Sequence, residues 1–243
     1  MKWMKIKNET NESVDFYIYG DIVSDTDWKW DDSDVMPKEI RELLDNHVGK
    51  KINLYVNSGG GSVFSGLSML NMLKRAREKG SYITAYVDGL AGSIASVLIF
   101  GANKIYCPSN SYIMIHRAWT GMYGNATDFL KMAEDLEKID EGILNTYKDN
   151  LREGVDIETI KEMVDKETWL TGEDASKYFN IEVVEENKAV ACASDYFKEY
   201  KNMPNEVLEN VQTPEKVLDS KNKQNDEEVQ IQIEALKLEL ELI

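Results

Sequence analysis

Residues 51–87 read "KINLYVNSGGGSVFSGLSMLNMLKRAREKGSYITAYV", and the order of patterns within them decides the fold. "KINLYVN" and "YITAYV" are short and rich in β-branched and aromatic residues, and both read as interior strands. Between them Val63, Leu67, Leu70 and Leu73, with Met69, recur at helical spacing. Lys74, Arg75, Arg77 and Lys79 gather at the end of that helix, where the dipole favours cations, and Gly80 closes it. A strand, a helix and a second strand in this order make a β-α-β unit, which predicts a mainly parallel sheet and an α/β fold.

The alternation continues on both sides. "DFYIYGDI" (15–22) reads as a strand and is followed by a helix after Pro37; "NKIYCPS" (103–109) and "SYIMIHRAW" (111–119) read as two strands joined by a Pro-Ser-Asn turn. Residues 125–153 predict a long helix opened by Asn125 or Thr127. Phe129, Met132, Leu136, Ile139, Ile143, Leu144 and Tyr147 lie on or near one stripe of it, and its charged side faces solvent or a partner. From about Lys188 the texture turns polar and charged, so a domain is expected over 1–187 and a polar, acidic, partly disordered extension over 188–243. The last stretch, "VQIQIEALKLELELI" (229–243), fits both a heptad and a strand alternation.

Composition narrows the function classes. Hydrophobic residues make up 42% of the 243, enough for a core, while 28 Lys and Arg against 44 Asp and Glu leave a net charge of −16. Such a field repels nucleic acid and anionic membrane surfaces, so neither is an expected partner. No run approaches the roughly 20 apolar residues of a membrane helix, and "MKWMKIKNET" lacks the apolar region of a secretory signal. A soluble, cytoplasmic protein is expected. Cys107 and Cys192 stand far apart, with no CxxC and no Cys/His cluster, so neither a disulfide framework nor a metal site is expected.

Chemistry concentrates in a few stretches. "GLAGSIASVLI" (89–99) sets two hydroxyls among small residues; they serve either close packing or catalysis. Ser93 follows the strand and the turn "LAG" and should open a helix, where unpaired N–H groups and a positive dipole end suit an oxyanion. Ser96, one turn in, should bond a backbone carbonyl. A serine needs a base, and the chain has two histidines. His47, ending "KEIRELLDNHVG", reads as solvated at a helix end. His116, ending the strand "SYIMIH", is the candidate base. Asp165 and Glu167 in "MVDKETWLTGEDA" (163–175) can orient an imidazole or simply solvate a helix end. "NSGGGSV" (57–63) permits positive φ and close approach of backbone to a ligand, and without GxxxxGK[ST] it is no P-loop.

In this order the elements resemble the Clp protease proteolytic-subunit family from about Asp15 to Glu185. "YVNSGGGSVFSGLSM" is similar to its strand and Gly-rich turn, "GLAGSIAS" to its nucleophile segment, "CPSNSYIMIH" to its histidine segment and "ETWLTGEDASKYFNI" to the segment of its third residue. The resemblance implies a spiral of repeated β-β-α units, shared with crotonases, with 125–153 as a long handle helix and a charged C-terminal tail beyond. It implies Ser93 as nucleophile and His116 as general base. Glu167 falls where the family usually has aspartate, and Asp165 is the alternative third member. Backbone amides of Gly61 and Ile94 would hold the oxyanion, and Gly60, Gly61 and Ser62 would line the substrate. A polypeptide substrate, no cofactor and a homo-oligomeric, heptameric ring or stacked rings follow from the same likeness.

Several residues depart from the family pattern. The acidic loop "SDTDWKWDDSD" (24–34) is longer, and the amino terminus lacks the proline-containing segment that faces an unfoldase, which argues against an ATPase partner. Phe179 stands where the family has glycine, with Asn180 expected to take a left-handed cap. The loop, the ETW segment and the tail are most similar to Clp-related head-maturation proteases of tailed phages and prophages, which act on scaffold and capsid proteins within the procapsid in the host cytoplasm. A crotonase-like acyl-CoA enzyme of the same fold, a Ser-Lys peptidase and an inactive ring-forming homologue are the other readings.

Overall fold

A computed structural model describes residues 6–24, 29, 31–185, 194–205 and 207. The chain opens with β1 (Ile6–Lys7) and β2 (Ser13–Tyr19), then α1 (Pro37–Asn46), β3 (Lys51–Ser58), α2 (Val63–Glu78) and β4 (Tyr82–Gly92). A short α3 (Ile94–Leu98) runs into a 3-10 turn, and β5 (Lys104–Pro108) and β6 (Tyr112–Ile115) follow. Next come α4 (Ala126–Lys148), α5 (Ile157–Asp165), β7 (Thr168–Thr171), α6 (Gly172–Tyr178) and β8 (Glu182–Val184). The result is a mixed α/β fold whose main sheet has the order β1-β2-β3-β4-β5-β8. Every pairing from β2 through β8 in that row is parallel, as the β-α-β pattern predicts; β1 is antiparallel to β2.

Alternation along β3 shows how the sequence builds the layers. Ile52, Leu54 and Val56 are fully buried and meet Ile40 and Leu43 of α1 and Met69, Leu70 and Leu73 of α2 in one core. On the other face Tyr17, Tyr55, Tyr86 and Tyr106 stack across four neighbouring strands at centroid distances of 4.8, 5.0 and 5.3 Å. Parallel register places these rings side by side along that face. Ser62 caps the start of α2, and Gly80, read from the sequence as its close, follows the end at φ 96°.

Four local expectations are corrected. The "LAG" turn is strand, because β4 keeps pairing through Gly92. The long helix ends at Lys148, before 153. Asn180 is not left-handed; among the described residues the non-glycine positions with positive φ are Asn8, Ser93 and Glu167. His47 is buried, not solvated: Nδ1 lies 2.6 Å from the Leu43 carbonyl and Nε2 3.2 Å from Glu9 Oε1. A helix C-terminus leaves carbonyls in need of donors, and the ring supplies one. The segment 229–243, Cys192 and part of the 24–34 loop lie outside the described residues.

Candidate active site

The long strand β4 serves two neighbours. Its Thr84–Tyr86 stretch pairs with β5, and its last residues, Leu90 to Gly92, pair in parallel with Tyr112 to Met114 of β6. The N–H of Ser93 continues that ladder, donating to the Met114 carbonyl at 2.8 Å. Ser93 then leaves the strand at φ 53° and ψ −126°, a conformation a non-glycine residue holds only when its surroundings compel it. His116 stands just past β6, and its Nε2 lies 2.7 Å from Ser93 Oγ. On its other side β6 pairs antiparallel with β7, Ile115 opposite Thr168. Glu167, at φ 50°, immediately precedes Thr168, and its charge acts on His116 without a hydrogen bond between the two among the described residues.

The two candidate acids go to different partners. Asp165, at the end of α5, has Oδ1 3.7 Å from Arg117 Nη1. Arg117 Nε also donates to Asp140 Oδ2 at 2.8 Å, and the Ala118 N–H donates to Asp140 Oδ1 at 2.7 Å. Buried Asp140 on α4 thereby anchors the chain just after His116. Glu167 Oε1 accepts from the backbone N–H of Lys201 at 2.7 Å and of Asn202 at 2.8 Å. Burial lowers the pKa of His116 from its ordinary 6.5, opposed by the Glu167 and Asp140 carboxylates. The imidazole is therefore neutral at neutral pH, the form that accepts a proton.

The Gly-rich turn lies against the serine. Gly60, at φ 111°, comes so near that a Cβ there would stand 2.7 Å from Ser93 Cβ and 3.3 Å from the Ile94 nitrogen; one at Gly61, φ 134°, would stand 2.2 Å from the Ile22 carbonyl oxygen. Hydrogen bonds of 2.7 Å from Ile22 N to Gly60 O and from Ser62 N to Ile22 O hold the turn open. Among the described residues the N–H groups of Gly61 and Ile94 carry no hydrogen bond. Ser62 Oγ caps α2 through Ser65 N at 3.4 Å. With only five residues in α3, the dipole contribution expected at Ser93 is small. Ser96 donates to the Ser93 carbonyl at 2.5 Å and lies 2.8 Å from Tyr147 Oη, so its hydroxyl braces the turn from behind.

Residues 15–188 match the Clp protease family. The chain belongs to the Clp protease family. Its relatives include the ATP-dependent Clp protease proteolytic subunit 1 of Salinibacter ruber, 31% identical over 129 residues, which are 52% of this chain and 53% of that protein. An ATP-dependent Clp protease proteolytic subunit of Bacteroides fragilis is 29% identical over 138 residues, 56% of this chain and 64% of the relative. The chain thus spans between about half and two thirds of these relatives' length. The family match stops before the residues that bond Glu167. Sequence reading passed over Tyr200, Lys201 and Asn202, although "SDYFKEYKNM" (194–203) sets Tyr196, Phe197, Tyr200 and Met203 about one turn apart within polar sequence. That spacing was the available signal of a docking segment.

Proposed function

We propose that this chain is a serine endopeptidase acting through Ser93, His116 and Glu167. The observation that carries the reading is the 2.7 Å contact between His116 Nε2 and Ser93 Oγ at a turn with positive φ. Ser93 Oγ attacks the scissile carbonyl carbon while its proton passes to His116 Nε2, which the Glu167 carboxylate orients and stabilises as an imidazolium. The N–H groups of Gly61 and Ile94 receive the oxyanion, each worth about 3 kcal/mol in related chemistry. Collapse breaks the C–N bond, and the leaving amine takes the proton from His116. Water, deprotonated by the same imidazole, then releases the acid and restores Ser93. Asp165, committed to Arg117, is left out of this scheme.

Intact-mass measurement after fluorophosphonate treatment tests it. A single adduct is expected on the wild type and on Ser96→Ala, and none on Ser93→Ala; an adduct on Ser93→Ala would sink the reading.

Within it, we assign the substrate as phage scaffold and capsid protein and the working form as a homo-oligomeric ring. The acidic 24–34 loop, the "ETW" segment and the charged extension support that assignment. The expected result is processing of co-expressed capsid protein that stops with Ser93→Ala. A second reading, a general proteolytic subunit fed by an unfoldase, draws support from relatives named ATP-dependent. ATP-driven degradation of a folded protein on addition of such an unfoldase would favour it.

A further inference from the structure

We infer that the segment Ser194–Met203, beyond the family match, is a working part of the active site, with Tyr200 as a positioning residue for His116 and Glu167. Three parts of the site meet this one segment. At the Gly-rich turn, Tyr200 Oη donates to the Gly59 carbonyl, and Ser194 packs so near that a Cβ on Gly59 would lie 2.5 Å from its Oγ. At the base, the Tyr200 ring meets the imidazole edge to face, with centroids 5.3 Å apart at 83°. At the acid, the N–H groups of Lys201 and Asn202 converge on Glu167 Oε1, and Asn202 Nδ2 donates to the Lys166 carbonyl at 2.7 Å.

Among the described residues these are the backbone donors to the Glu167 carboxylate. They answer a specific need, because glutamate has one more rotatable bond than aspartate and must lose that freedom to hold an imidazole. The segment is held down by apolar contact: Phe197 and Tyr200 are buried with Leu90 and Met114, and Tyr200 meets Trp169 at 5.8 Å. With the segment docked, the Ser93–His116 contact is intact and the Gly61 and Ile94 N–H groups hold no hydrogen bond. The groups facing the imidazole are Ser93 after β4, Glu167 before β7, Asp140 of α4 with its Arg117 partner, and Tyr200 of this segment.

This inference rests on the proposed serine mechanism. Its test is the rate of fluorophosphonate labelling of the full chain from pH 5 to 9, for the wild type, Tyr200→Phe and Tyr200→Ala. The Phe variant keeps the ring and loses the bond to Gly59, and labelling slowed about 3–10-fold is expected. The Ala variant is expected to label more slowly still, and its pH midpoint should rise as water reaches the imidazole and protonation becomes easier. Labelling of both variants within twofold of wild type, or faster, would overturn the inference, as would an unmoved midpoint in a slowed Ala variant. If Tyr200→Ala does not fold, Tyr200→Phe decides alone on its rate. A folded wild type that never labels removes the serine mechanism and this inference together, whereas a labelled wild type matched by its variants removes only the inference.

Discussion

Ser93 combines a φ of 53° with a side chain that meets His116, and the two properties pull against each other. Strain in such a region costs about 1–3 kcal/mol, and it is sustained here by the Met114 ladder bond and by Ser96 on the Ser93 carbonyl. Glycine relieves the strain and alanine does not. Ser93→Gly should therefore be about 1 kcal/mol more stable than Ser93→Ala in urea unfolding, with both inactive. His116 makes a second prediction. Its folded pKa lies below the unfolded 6.5, so above 6.5 both states are neutral and nothing is lost. As pH falls below 6.5 the unfolded chain binds a proton the folded chain resists, and stability drops until the folded pKa is passed. His116→Gln should lose less stability than wild type between pH 7.5 and 5.5, measured by denaturant midpoint.

At the scale of elements, pairing register decides which residues meet. β4 offers Leu90–Gly92 to β6, and β6 offers Ile115 to Thr168 of β7, so one short strand aligns serine, histidine and glutamate although 74 positions separate Ser93 from Glu167. The succession of strands along the chain was legible from β-branched runs and turn residues, whereas β1 and β8, with two and three residues, are too short for a periodicity to register. The tyrosine row on the outer face is another product of register. Tyr55 stacks on both Tyr17 and Tyr86, so Tyr55→Ala should cost about 1–2 kcal/mol in thermal or urea unfolding. The Ser93–His116 pair lies elsewhere, and its labelling rate should not change.

For the whole molecule, charge and exposed apolar surface set the terms on which copies could meet in the proposed ring. A chain of net charge −16 repels copies of itself at long range, so association needs short-range apolar contact. Along 119–130 Trp119, Tyr123, Phe129 and Leu130 are exposed, Leu130 to 70%, on the loop after β6 and the first turns of α4. In the proposed ring these side chains are covered. Leu130→Glu should move the solution mass toward smaller species in sedimentation, and a wild type that stays monomeric at working concentration would count against the ring. No helix of the described residues is long and apolar enough to cross a membrane.

The sequence by itself determined the alternation of strand and helix, the opening of the long helix at Asn125, the Gly-rich turn and the placing of Ser93 at a strand-to-helix junction. Each is a local property, written in side-chain period and turn chemistry within a few residues. Only the tertiary structure decided that Asp165 turns to Arg117 while Glu167 bonds the N–H groups of Lys201 and Asn202, that His47 is buried, and that Tyr200 packs on the His116 ring. Those outcomes depend on which distant strands pair and in what register. A hydrophobic period says which face of a strand is buried and carries no information about its neighbour.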